Sequence, residues 1–172
     1  MTMTRTWANL GVLVGVVGLV SIGAARQTPA RLTAESGAAR HALLEDAAAS
    51  NPTTTTLTPL VAAYLADGRA GHAVAVLDRS PLAASEAPAL ADLASQAYLT
   101  TGRASRSLAY ARRTLDLCKD KPCETSLVAR VTRREELLGA LVEMGVEDPL
   151  AHPEAVELAS RRVVRQVRIA MN

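Results

Sequence analysis

Tyr64-Leu65-Ala66-Asp67-Gly68-Arg69-Ala70 returns as Tyr98-Leu99-Thr100-Thr101-Gly102-Arg103-Ala104, identical at five of seven positions and displaced by 34 residues. A repeat of this length is a supersecondary unit. It cannot bury its own apolar face and needs stacked neighbours. Each copy sets a glycine after an apolar stretch, the usual mark of a turn that ends one helix and starts the next. The spacing predicts two helical hairpins: helices over 57–67 and 70–79 around Gly68, then over 87–101 and 104–118 around Gly102.

Composition agrees with helices. The 172 residues are 49% hydrophobic, mostly Ala, Val and Leu, with no Phe, one Trp and three Tyr. Small side chains suit close helix-on-helix packing, and Ala has the best intrinsic helix propensity. Period-two alternation, the pattern of half-buried strands, is scarce. A net charge of +2 gives nucleic-acid binding no support. The basic residues are 17 Arg and 2 Lys, and both lysines lie between the two cysteines. The excess of Arg and Ala matches a GC-rich bacterial coding bias.

Outside the repeat, a helix is expected over about 31–49. The run Asn51-Pro52-Thr53-Thr54-Thr55-Thr56 then reads as a linker or a helix start, because β-branched residues disfavour helix interiors. Pro81 and Pro88 flank a break, with Ser85 a candidate N-cap for the helix that follows. Further on, a long helix is expected over 125–144, with Leu127, Val128, Val131, Leu137, Leu138, Leu141 and Val142 as its apolar surface. Gly145 resembles a third turn glycine but lies 43 residues after Gly102. A last helix over about 153–170 has Pro at a favourable first position, and Val156, Ala159, Val163 and Val167 can face inward as a terminal cap.

The period and these positions resemble the tetratricopeptide repeat over about residues 54–118. Leu57 and Leu60 match its first-helix apolar positions, Tyr64 its aromatic, Ala73 its small crossing residue and Leu77 its large second-helix residue. The second unit keeps Tyr98 and Gly102 but carries Ala94, Ser107 and Ala111 where leucine, small and large residues belong. The resemblance implies an all-α fold of antiparallel hairpins stacked as a short solenoid, used to bind another protein. Its concave-face positions fall on Thr58, Ala62 and Leu65 in the first unit and Asp92, Gln96 and Leu99 in the second.

Residues 6–25 carry no charge and lie between Arg5 and Arg26. Twenty helical residues span about 30 Å, roughly the hydrocarbon thickness of a bilayer. The segment reads as a membrane anchor or a cleaved secretory signal, with Gly23/Ala25 or Ser21/Gly23 as cleavage positions. The anchor is the leading expectation, and either outcome exports the remainder in the commoner orientation. Gly11, Gly15 and Gly18 share one helix face, a small-residue stripe on which membrane helices can pack closely.

Cys118-Lys119-Asp120-Lys121-Pro122-Cys123 holds the only two cysteines. In an exported chain they most simply form one intrachain disulfide. Free thiols, or a metal or redox centre, are the alternatives. The spacing is not C-x₂-C, and His41, His72 and His152 are far apart.

No G-x-S-x-G, phosphate loop, H-E-x-x-H or EF-hand loop occurs, so neither enzymatic activity nor a cofactor is expected. His72 is expected to face solvent, and Arg133, Arg134, Glu135 and Glu136 to form intrahelical pairs. Arg161, Arg165 and Arg168 form a basic stripe on the last helix with Arg162 beside it. It is either a solvated face or a grip for an acidic partner or anionic lipid.

The expected organisation is an anchor or signal at 1–25, a helix and Thr-rich linker at 26–56, two hairpins at 57–118, and a degenerate third hairpin with a capping helix at 119–172. The expected role is a bacterial inner-membrane protein with its helical domain in the periplasm, binding a subunit of a membrane-associated complex. The alternative is a secreted periplasmic repeat protein that associates with itself.

Overall fold

A computed structural model describes residues 37–170, with side chains as far as Val164. The anchor segment, its glycine stripe of Gly11, Gly15 and Gly18, and the side chains of Arg165, Val167 and Arg168 lie outside the described residues. The chain divides into two units, Met1–Leu43 and Leu44–Asn172. Of the first, residues 37–43 are described and are helical. All that follows concerns the second.

Among the described residues the chain is all-α, with no strand. Helix α1 covers residues 37–50. It is followed by α2 (Thr54–Ala66), α3 (Ala70–Arg79), α4 (Pro81–Ala84), α5 (Pro88–Thr100), α6 (Ala104–Asp120), α7 (Thr125–Glu143) and α8 (Pro153–Ala170). No helix among the described residues is long and apolar enough to cross a membrane.

The four-threonine run is a helix start. The Thr53 backbone N–H donates to Thr56 Oγ1 at 3.1 Å in a capping-box arrangement, and α2 opens at Thr54. Ser85 does not cap α5. Its hydroxyl turns back to Pro81 O (3.0 Å), Ala87 takes the cap position, and Pro88 opens the helix. Because Pro81 disfavours a helical Ser80, α3 stops at Arg79. The equivalent helix α6 meets no proline until Pro122 and continues to Asp120.

Three turns share one geometry. Gly68, Gly102 and Gly145 have φ of 69°, 71° and 74°. In each the residue after the glycine donates back five residues: Arg69 N to Tyr64 O, Arg103 N to Tyr98 O and Val146 N to Leu141 O. This is the Schellman termination, which needs a left-handed residue and so selects glycine. Gly145 is therefore a third turn glycine, despite its longer spacing.

Two apolar clusters fill the hairpins. The first joins Ala48 of α1 to Leu57, Leu60 and Tyr64 of α2, Ala73 and Leu77 of α3, and Leu90 and Tyr98 of α5. The second joins Ala104 and Leu108 of α6, Leu138 and Leu141 of α7, and Ala159 of α8, with Val156 and Val163 packed against it. At the crossing of α5 and α6, Ala94, Ser107 and Ala111 are fully buried. Ser107 Oγ donates to Ser95 O at 2.7 Å. The missing bulk in the second unit thus lets two helices cross closely with their polar atoms satisfied.

The segment after Gly145 folds back over the second turn. Ala104 N donates to Glu147 O (2.8 Å), and the Ser105 hydroxyl bonds the Glu147 carboxylate. Cys118 in the last turn of α6 is bonded to Cys123 ahead of α7, S–S 2.03 Å.

Candidate functional site

The shift of 34 residues extends beyond the repeated heptapeptide to whole helices: α2 and α5 start at 54 and 88, α3 and α6 at 70 and 104. Each unit consequently forms the same groove, bounded by a preceding helix, the helix that carries the repeat tyrosine, and the helix after the turn glycine.

In the second groove Tyr98 Oη donates to Asp78 Oδ1 of α3 at 2.6 Å. Arg106 Nη1 donates to the same oxygen at 2.7 Å, and Arg103 lies 3.8 Å from the other. The Tyr98 hydrogen bond, followed by the Arg106 charge, holds the Asp78 carboxyl below its ordinary range. Burial, and then the bond to Asp78, pushes Tyr98 up to about 12. The Tyr110 ring stacks on Tyr98 with centroids 5.4 Å apart and planes 10° from parallel. Arg113 Nε closes over the groove onto Ser85 O at 2.8 Å. Here the groove is filled by the protein's own side chains.

The first groove starts the same way. The Tyr64 hydroxyl donates to the Glu45 carboxylate of α1, and burial together with that bond raises its pKa. Arg69 lies over the Tyr64 ring, 5.0 Å from its centroid, and the His72 ring lies 5.4 Å away. Of the residues that close the second groove, two are replaced at the equivalent positions 34 lower, Val76 for Tyr110 and His72 for Arg106, while Arg79 keeps the arginine of Arg113. Valine is too short to reach across, and among the described residues a cleft of about 690 Å³ is left there. Leu57, Leu60 and Val76 form its apolar floor, Ala48, Ala49 and Pro52 one wall, and Arg69, His72 and Arg79 a basic rim. Its size falls in the range of ligand pockets, about 300–1,000 Å³.

None of the six residues expected on a partner-binding face lines this cleft. Thr58 and Ala62 are half-buried, and the Thr58 hydroxyl donates to Thr54 O at 2.6 Å. Leu65 packs against the first cluster and Leu99 against the second. Asp92 is 4% exposed, and its carboxylate is occupied by Gln96 Nε2 (3.0 Å), Arg130 Nη2 (3.1 Å) and Arg134 Nη1 (2.6 Å). The structure therefore brings Asp92, with Gln96 bonded to it, against α7.

The charges of α7 pair between helices and not within one. Arg134 reaches Asp92 on α5, and Glu135 pairs with Arg112 on α6 at 2.9 Å. On the basic stripe, Arg161 pairs with Glu157 (2.5 Å) and Arg162 with Glu143 of α7 (3.3 Å). His72 is exposed, with its ring turned to Tyr64. Cys118 and Cys123 are joined to each other, and no group of His, Cys, Asp and Glu suited to a metal ion occurs among the described residues.

The cleft residues that sequence reading missed are Glu45, Val76 and Arg79. The signal was present. Continuing the 34-residue alignment past the heptapeptide pairs Val76 with Tyr110 and marks the one place where the second unit has a ring and the first does not. No protein-family model, curated protein or solved structure matches this chain.

Proposed function

We propose that this chain is a tetratricopeptide-like interaction module, held by residues 6–25 at a bacterial envelope membrane, that binds another protein of a membrane-associated complex. The observation that carries this reading is the contrast between two equivalent grooves, one filled by Tyr110, Arg106 and Arg113, the other a cleft among the described residues beside Val76. An open groove with an apolar floor and a charged rim suits a protein segment, which contributes a few buried anchors and polar contacts around them. Arg69, His72 and Arg79 act by charge and hydrogen bonding, Leu57, Leu60 and Val76 by excluding water. The α7 helix stays docked on Asp92, so recognition takes place at the first unit.

Site-specific photocrosslinking in membranes tests the reading. A photoreactive residue replacing Ala49 or Arg79 at the cleft rim is expected to yield an adduct with a different protein, and one replacing exposed Ala109 on α6 is not. Adducts of twice the chain's own mass only, from every position, would overturn the reading in favour of self-association.

A further inference from the structure

The second groove shows what the first accommodates. Its apolar space is occupied by a tyrosine ring from α6, stacked on the repeat tyrosine and roofed by arginines. In the first groove the repeat tyrosine, its carboxylate partner and the following arginine are all retained: Tyr64, Glu45 and Arg69. What differs is position 76, where valine stands in place of the ring. Leu57 and Leu60 stand where the second unit has Ala91 and Ala94, and among the described residues they line the cleft of about 690 Å³ together with Val76.

The rim adds a charge requirement. Arg69, His72 and Arg79 line the cleft, and its single carboxylate among the described residues, Glu45, already accepts the Tyr64 hydroxyl. Among the described residues neither Arg69 nor Arg79 makes an ion pair, whereas of their second-unit counterparts Arg103 pairs with Asp78 at 3.8 Å and Arg113 donates a hydrogen bond to Ser85 O. Guanidinium groups on an apolar rim favour carboxylates, which they can hold bidentately.

We infer that the Tyr64 cleft takes an aromatic side chain carried on an acidic segment of the partner protein, the partner's ring entering above Val76 as Tyr110 does in the second groove. This rests on the interaction-module reading and specifies its ligand. The ring supplies the buried anchor, since aromatic side chains are rigid, large and enriched at interface centres. Flanking carboxylates meet Arg69 and Arg79.

The test uses the full chain in mild detergent and a fluorescein-labelled peptide, Asp-Asp-Ser-Tyr-Leu-Ser-Asp-Asp, followed by fluorescence anisotropy. Saturable binding is expected, weakened about tenfold or more when the peptide tyrosine becomes alanine. A similar loss is expected when the protein carries Val76→Tyr, which supplies the ring internally, or Arg79→Glu. Circular dichroism and the intact disulfide check that Val76→Tyr folds; if it does not, the peptide contrast and Arg79→Glu decide. Equal binding of the tyrosine and alanine peptides, undiminished binding to folded Val76→Tyr, or no binding of either peptide at millimolar concentration overturns the inference. Full displacement by an equimolar amount of 4-hydroxyphenylacetate also overturns it, because the occupant is then a small aromatic acid. A crosslinked partner from Ala49 or Arg79 together with a failed peptide contrast leaves the module reading standing and removes only this one.

Discussion

Alanine placed in turn at Gly68, Gly102 and Gly145 separates backbone conformation from tertiary contact. All three glycines are left-handed, with φ of 69°, 71° and 74°, so any L side chain there costs about 1–2 kcal/mol. At Gly68 and Gly145 an added Cβ meets nothing within 4 Å, and that conformational cost is the whole effect. At Gly102 the same Cβ collides with the Asp148 carboxyl. That carboxyl accepts from Leu150 N (3.0 Å) and Ala151 N (3.4 Å) and so shapes the segment folded over the second turn. Moving it forfeits two hydrogen bonds of about 0.5–1.5 kcal/mol each and disturbs the bond from Ala104 N to Glu147 O. Gly102→Ala should therefore cost about 2–5 kcal/mol, some 1–3 more than either sister substitution. Urea unfolding of the full chain in mild detergent, followed by far-ultraviolet circular dichroism, gives the three values directly. Asp148→Ala in the Gly102→Ala background removes the colliding atoms, so the double variant should lose about 1–2 kcal/mol less than the sum of the singles. Equal losses at all three glycines, or strict additivity with Asp148→Ala, would refute the contact between the third-turn segment and the second turn.

Three further outcomes are expected. All three tyrosines have raised pKa values, each chiefly through burial, with Tyr98 at about 12. A folded-state value above the unfolded value of about 10 stabilises the fold fully below pH 10 and loses that contribution as pH rises toward 12. Tyrosinate absorbance of the native chain at pH 10 should accordingly lie below the denatured value, and equality of the two would contradict this. Asp92→Ala leaves Arg134, only 12% exposed in its side chain, without its carboxylate and should cost about 3–5 kcal/mol in urea unfolding, with Asp92→Leu/Arg134→Met recovering much of it; a loss under about 1 kcal/mol would show that the pair does not hold α7 in place. Replacing Cys118 and Cys123 by serine opens a short loop and should cost about 2 kcal/mol, and neither cysteine should take up a thiol label before reductant is added.

The helices and turns were legible in the sequence because their causes are local. The repeat glycines terminate α2 and α5 wherever the chain goes next, and Pro81, Pro88, Pro122 and Pro153 set helix limits through steric effects on adjacent residues. The threonine run, read as a linker or a helix start, is likewise a local matter, decided by the bond between Thr53 N and Thr56 Oγ1, two residues at capping spacing. Expectations that depended on distant partners fared differently. Arg134 and Glu135 have no oppositely charged residue three or four positions away on α7, and Asp92 on α5 and Arg112 on α6 hold them instead. The concave-face residues Asp92 and Gln96 could not be known to lie under α7, because the third hairpin departs from the 34-residue period that would have placed it.

By itself, then, the sequence determined two strict hairpins, a third turn glycine and a bonded cysteine pair at the α6–α7 connection. These follow from chain chemistry within a few residues and from one repeat of constant 34-residue spacing. Only the tertiary structure decided which groove is closed and which is open. Whether Val76 leaves a cleft depends on α1 approaching α2 and α3, on Leu57 and Leu60 stopping short of the rim, and on Tyr110 reaching Tyr98 in the neighbouring unit. Those are packing relations between segments far apart in the chain, and the repeat that revealed the fold differs between its two copies at the position that makes the site.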